Sequence, residues 1–153
     1  MMMRILVILI LSMSLGLTTP ASSHAQTPGE TEQSAIEGVG SIKDGVRYVT
    51  PTEAASLIDN DSTIMVLDVR TRGEYNRGHI EGAVQINYFS LGFKKKLSTL
   101  DKNVTWIVHC KSGHRSGRTV PLMKKADFAS IIHMDGGFDG WKKADFPISI
   151  SEN

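Results

Sequence analysis

Val104-Thr105-Trp106-Ile107-Val108-His109-Cys110-Lys111-Ser112-Gly113-His114-Arg115-Ser116-Gly117-Arg118 is the stretch that decides the fold. Residues 104–108 are β-branched and aromatic and predict a buried strand, and the periodic apolar residues after Arg115 predict a helix over residues 116–126. Strand, tight loop and helix in succession point backbone N–H groups at one spot and place a helix N-terminus behind it. An anion is favoured there, and a cysteine thiolate at Cys110 is an anion.

Outward from this loop the pattern repeats. Residues 63–69 (TIMVLDV) form a near-continuous apolar run and predict a second buried strand. Shorter strands are predicted over 46–49, 84–87 and 130–134, the last ending before Gly136-Gly137. Thr50-Pro51-Thr52-Glu53 opens a helix with Thr50 as N-cap and proline in the first turn. Further helical segments are expected around Glu74-Tyr75, over 90–97, and around Trp141. Strands alternating with helices imply an α/β fold with a mainly parallel sheet covered on both faces. Ligands of such sheets bind at the carboxyl ends of the strands, where Cys110 lies. Pro121 interrupts the helix after the loop, and a kink or break is expected there.

The chain has 153 residues, and near its start Arg4 is followed by an uncharged apolar run over residues 5–17. The run is short for a membrane span, and Ser23-His24-Ala25 carries small residues at the positions an A-x-A-type cleavage requires. Residues 1–25 therefore read as a secretory signal peptide, cleaved before Gln26, with a periplasmic or secreted product and no stable membrane association afterwards. Residues 26–45 are polar and glycine-rich and read as a flexible linker, and residues 46–153 read as one domain. Cleavage removes one basic residue, Arg4, from 17 Lys and Arg, which leaves 16 against 16 Asp and Glu. A formally neutral chain lacks the basic footprint that nucleic acid requires. The lysine clusters 94–96, 124–125 and 142–143 read as solvated helix faces.

Cys110 is the sole cysteine. It has no partner for an internal disulfide, and without a C-x-x-C pair a dithiol oxidoreductase is disfavoured. A lone cysteine is either an inert small hydrophobe or a reactive thiol, and the loop favours the second reading. His79, His109 and His133 show no zinc-ligand spacing with one another or with the cysteine, and no metal or cofactor is expected. Asp68 and Arg70 end a strand at the crevice edge and read as a supporting ion pair more than as reacting groups. Trp106 and Trp141 read as core.

Three segments, LDVRTRGEYNRGHIEGAVQIN (67–87), HCKSGHRSGR (109–118) and GGFDGW (136–141), resemble the rhodanese-like family of sulfurtransferases, a resemblance extending over residues 46–148. It implies a central five-stranded, mainly parallel sheet with helices on both faces, and a catalytic cysteine that carries sulfur as a persulfide. By position, Cys110 is then the nucleophile, and Lys111, Ser112, Gly113, His114 and Arg115 form the substrate-binding loop. The implied partners are a small sulfur-donor anion such as thiosulfate and an acceptor, either cyanide or a thiol, including one borne by a protein.

Loop length separates this reading from cysteine-dependent phosphatases and arsenate reductases. Those place the gripping arginine six positions after the cysteine, where this chain has Ser116, whereas Arg115 is five positions after. A sulfur carrier or binding module with little turnover is a further alternative. His114 stands where related loops often carry Asn, and an imidazole there brings a group that titrates near physiological pH. Lowering a thiol pKa from about 8.5 to about 6.5 raises its thiolate fraction at pH 7 roughly 25-fold, of which reduced nucleophilicity takes back roughly 8-fold. The larger obstacle is charge. Each nearby cation offsets the approach of two anions by up to about 4 kcal/mol at 4 Å and an effective dielectric of 20.

Overall fold

Alternation of side chains along the strands sorts the apolar residues onto two faces of one sheet, and each face is covered by helices. A computed structural model describes residues 38–151. The strands are β1 (Ser41–Lys43), β2 (Val46–Val49), β3 (Met65–Asp68), β4 (Val84–Gln85), β5 (Thr105–His109) and β6 (Ser130–Met134). The helices are α1 (Pro51–Asn60), α2 (Arg72–Asn76), α3 (Phe93–Leu97), α4 (His114–Lys125) and α5 (Gly137–Lys143). The strand order is β1-β2-β6-β5-β3-β4. β1 pairs antiparallel with β2, and every other pairing is parallel.

On one face Leu67, Val69, Trp106 and Val108 pack against Phe93, Leu97, Val120 and Met123 from α3 and α4. On the other, Val66, Ile107, Ile132 and Met134 pack against Ala54, Leu57, Phe138 and Trp141 from α1 and α5. Leu67 and Ile107 are fully buried, each contributing about 1.5 to 3 kcal/mol of transfer free energy. Helix starts are specified locally. Thr50 and Glu53 form a capping box on α1, and Thr71 and Glu74 form another on α2, each satisfying two otherwise unpaired N–H groups.

The α/β architecture and the parallel sheet agree with expectation, but the sheet has six strands among the described residues, not five. The extra strand, β1, lies inside the stretch read as a flexible linker over 26–45. Its three residues are all exposed, so no buried run marks them. What pairs them is the turn Asp44-Gly45, with φ of 51° and 73°, the left-handed conformation at both central positions that two-residue hairpins favour. The remainder of that linker and the signal segment 1–25 lie outside the described residues.

Pro121 does not break the helix. α4 runs from His114 to Lys125 with the proline inside it. Pro121 and Gly117, whose carbonyl would have accepted the missing N–H four residues on, are both exposed, so water can satisfy that carbonyl.

Candidate active site

β5 runs between β3 and β6 and delivers Cys110 to the carboxyl edge of the sheet. The chain then turns through Lys111-Ser112-Gly113 into α4, with Gly113 at φ 99°, a conformation that suits glycine. The Gly113 N–H donates to Cys110 Sγ at 3.2 Å, and Ser116 Oγ lies 3.6 Å from the same sulfur. Cys110 is 1% exposed. Burial pushes its thiol up, but the N–H and hydroxyl of Ser116 and the N–H groups of Ser112 and Gly113 outweigh this and bring it below the ordinary thiol value. These donors favour the charged form.

The loop is held from behind by α5. Phe138 N–H donates to the Cys110 carbonyl at 2.8 Å, and Asp139 N–H to that of Lys111 at 2.9 Å. A Cβ at Gly137 would lie 2.5 Å from the Cys110 carbonyl oxygen and 2.7 Å from that of Lys111. Only glycine permits this approach. The Phe138 and Asp139 amides, brought close by Gly137, therefore anchor the loop carbonyls while the loop's amides face the sulfur.

Arg115 does not reach into open space. Its Nη1 and Nη2 donate to Glu74 Oε2 and Oε1 at 2.8 and 2.7 Å, a bidentate pair of the strongest geometry available to these groups. The Arg115 guanidinium, with added hydrogen bonds from Thr71 against the opposing cost of burial, holds the Glu74 carboxyl far below the usual carboxylate range. Glu74 raises Arg115 in return. Phe89, 67% exposed, lies beside the guanidinium with its ring centre 5.7 Å away.

Asp68 and Arg70 form a buried pair at 2.6 Å, and Arg70 Nη2 also donates to the Gly78 carbonyl at 2.8 Å. The guanidinium stacks 3.8 Å above Phe138, so the pair ties the Gly78 turn to the helix that braces the cysteine loop. His109 is fully buried on the opposite strand face from Cys110, its Nε2 without a hydrogen-bond partner and 3.8 Å from Asp68 Oδ2. Burial pushes its pKa down. His79 stacks on Tyr75 with ring centres 3.8 Å apart.

Beside the loop lies a cleft of about 220 Å³ lined by Arg70, Glu74, Arg77, Gly78, Lys111, Phe138, Asp139 and Lys142. Lys111 is the one expected loop residue that lines it. Ser112 and His114 are exposed and paired to each other through Oγ and Nδ1 at 3.2 Å. Reading the sequence alone left four contributors without a role: Glu74, Ser116, Phe138 and His133. Thr71-x-x-Glu74 was legible as a capping signature, but the ion pair spans 41 positions. His133 is buried with Nε2 2.9 Å from Ser116 Oγ and Nδ1 3.0 Å from Asp135 Oδ1.

The rhodanese-like domain family matches residues 50–144. The chain is 32% identical over 95 residues to a probable adenylyltransferase/sulfurtransferase, MoeZ, of Mycobacterium tuberculosis, an alignment covering 62% of this chain and 24% of that protein. It thus spans about a quarter of that relative. It is 28% identical over 102 residues to the thiosulfate sulfurtransferase GlpE of Glaesserella parasuis, covering 67% of this chain and 92% of that one. A crystal structure of a rhodanese-related protein from Thermoplasma volcanium superposes with a TM-score of 0.60 at 25% identity, covering 69% of this chain and 99% of the other.

Proposed function

The chain belongs to the rhodanese-like domain family, and on that premise we propose that it is a sulfurtransferase that moves sulfane sulfur from thiosulfate or a similar anion through a persulfide on Cys110. The observation that carries this reading is the set of donors converging on one buried sulfur. Cys110 Sγ accepts from Gly113 N–H at 3.2 Å beside the Ser116 hydroxyl, and these groups bring the thiol below its ordinary value despite burial.

In the first half-reaction the thiolate attacks the outer sulfur of thiosulfate. A Cys110 S–S bond forms, the S–S bond of the donor breaks, and its electron pair leaves with sulfite. In the second, cyanide or a thiolate attacks the outer persulfide sulfur, and Cys110 departs as thiolate. The same N–H groups that hold the starting thiolate hold the charge on the persulfide. Lys111, Arg77 and Lys142 in the adjoining cleft reduce the repulsion that a dianionic donor meets. With Cys110 buried, a small terminal atom reaches its sulfur more readily than a bulky ester does. Arg115 stands five positions after Cys110 and Ser116 occupies the sixth, a loop register that also disfavours a phosphatase.

The apolar segment 5–17 and Ser23-His24-Ala25 support an exported product with Gln26 at its N-terminus.

Intact-mass spectrometry after incubation with thiosulfate tests the mechanism. One added sulfur is expected on the wild-type chain and none on Cys110→Ser. An unchanged wild-type mass, or full sulfurtransferase activity in Cys110→Ser, would overturn it.

A further inference from the structure

His133 occupies a place that core packing alone does not explain. It is buried near the end of β6, yet both ring nitrogens face acceptors. Nδ1 lies 3.0 Å from Asp135 Oδ1, and Nε2 lies 2.9 Å from Ser116 Oγ and 3.3 Å from the Gly113 carbonyl. Ser116 Oγ in turn stands 3.6 Å from Cys110 Sγ. A neutral imidazole meets both sides when Nδ1–H donates to Asp135 and the Ser116 hydroxyl donates to Nε2, and an imidazolium meets them by donating from both nitrogens, so the ring can exchange a proton with Ser116 without losing either partner.

We propose that Cys110, Ser116, His133 and Asp135 form a proton relay in which His133 holds the proton given up by the Cys110 thiol, with Ser116 as the bridge. In the thiol form S–H donates to Ser116 Oγ, the serine hydroxyl donates to Nε2, and Nδ1–H donates to Asp135. On ionisation the S–H bond breaks as its proton passes to Oγ, and the original hydroxyl proton passes to Nε2. The net change is one proton moved from sulfur to imidazole, with no change in oxidation state. The product is a thiolate receiving the serine hydroxyl, an imidazolium donating to Ser116 Oγ, and the Asp135 carboxylate behind it. The thiolate and the imidazolium then stabilise each other through one bridging hydroxyl.

Other groups around the ring fit this assignment. The titratable groups facing it are Asp135 on its own chain segment, Cys110 through Ser116 of α4, and Tyr48 of β2, whose ring stands edge-on with centroids 5.2 Å apart. Its neighbour in register on β5 is Val108. His133 is thus a positioning residue that acts on the nucleophile through Ser116.

This inference rests on the reading of Cys110 as a nucleophile, but its test reads the thiol's ionisation and not sulfur transfer, so failure with thiosulfate would leave it standing. The rate of Cys110 alkylation by iodoacetamide is measured against pH in the wild type, His133→Asn, Ser116→Ala and the double variant. His133→Asn should raise the midpoint by about one pH unit, equivalent to roughly tenfold slower alkylation well below it. Ser116→Ala should also raise it, and adding His133→Asn to Ser116→Ala should change it no further, because the bridge is already gone. An unmoved midpoint in His133→Asn, or shifts that add in the double variant, would overturn the relay. Nitrogen NMR of the wild-type imidazole supplies a reading that needs no variant. At a pH where Cys110 is thiolate, both His133 nitrogens should report as protonated, and alkylation of Cys110 should return the ring to the neutral form. A ring that is neutral in both states would equally overturn it.

Discussion

Arg115, the cation closest in sequence to the nucleophile's amide loop after Lys111, spends both terminal nitrogens on Glu74, at 2.8 and 2.7 Å. The pair bridges α4 to α2 across the mouth of the site, so the charge that would meet an anionic donor is already partly neutralised. Removing the guanidinium therefore does two things. It deletes a cation beside Cys110 and leaves the Glu74 carboxylate facing the donor.

Arg115→Ala is expected to lose about 2 to 4 kcal/mol in kcat/KM for thiosulfate, the range for deleting a preorganised charge-stabilising donor. Lys111→Ala should lose far less, since its flexible ammonium is a point charge that water can partly replace. Arg115→Lys should recover part of the loss. Adding Glu74→Gln to Arg115→Ala should restore some activity, because the two sites are in direct contact and their effects do not add. Steady-state kinetics on these variants check the ordering, and near-wild-type activity in a folded Arg115→Ala would show that the loop amides suffice.

Glu74 sets a pH dependence of stability. Its folded-state pKa is depressed, first by Arg115, so the folded chain binds its proton less readily than the unfolded chain. Its contribution is complete above the unfolded value of about 4.3 and is lost as the pH falls below it. Urea denaturation between pH 6 and pH 3 should show stability falling, with a shallower fall in Glu74→Gln. Parallel slopes for the two proteins would count against the pair.

Arg70→Met should destabilise by about 3 to 5 kcal/mol, because it leaves the Asp68 carboxylate buried and uncompensated. Asp68 is fully buried and Arg70 nearly so. Arg70→Met combined with Asp68→Leu should recover much of the loss, as similarly shaped apolar replacements of buried pairs often do. Chemical denaturation of the single and double variants decides this.

Gly137→Ala should impair the nucleophile without touching it. The added methyl would meet the Cys110 and Lys111 carbonyl oxygens at 2.5 and 2.7 Å at a position with φ 55°, so the loop or α5 must shift. Slower alkylation of Cys110 together with a lower melting temperature is expected, and wild-type values of both would show that the loop is not braced from this side.

The small residues Ser23 and Ala25 predict a product beginning at Gln26. Edman sequencing of protein recovered from the periplasmic or secreted fraction checks this. Met1 retained in a membrane pellet would mean an anchor instead.

Local chemistry made most of the architecture legible. The apolar runs that became β3 and β5 are nearly continuous because both faces of a parallel sheet are buried, and Thr50-Pro51 announces α1 through its cap and proline. β1 escaped because nothing in it is buried. Its one signal, Asp44-Gly45, is a turn signature inside a stretch whose polarity otherwise reads as linker. The helix continues through Pro121 for a related reason: whether a proline breaks a helix depends on whether the orphaned carbonyl faces water, which is a tertiary property.

The alternating α/β order, the placement of Cys110 after a buried strand, and the short loop that directs N–H groups toward its sulfur are all encoded locally, because each depends on residues within a few positions of one another. Which polar and charged groups gather around that sulfur is settled by long-range packing. Arg115 finds Glu74 across 41 positions, and Ser116 meets His133 across 17. Such pairings are set by how β5 and β6 lie side by side and by where α2 and α4 cover the sheet edge. No local periodicity encodes them, since hydrophobic patterning fixes which face a residue takes but not which polar group it meets there.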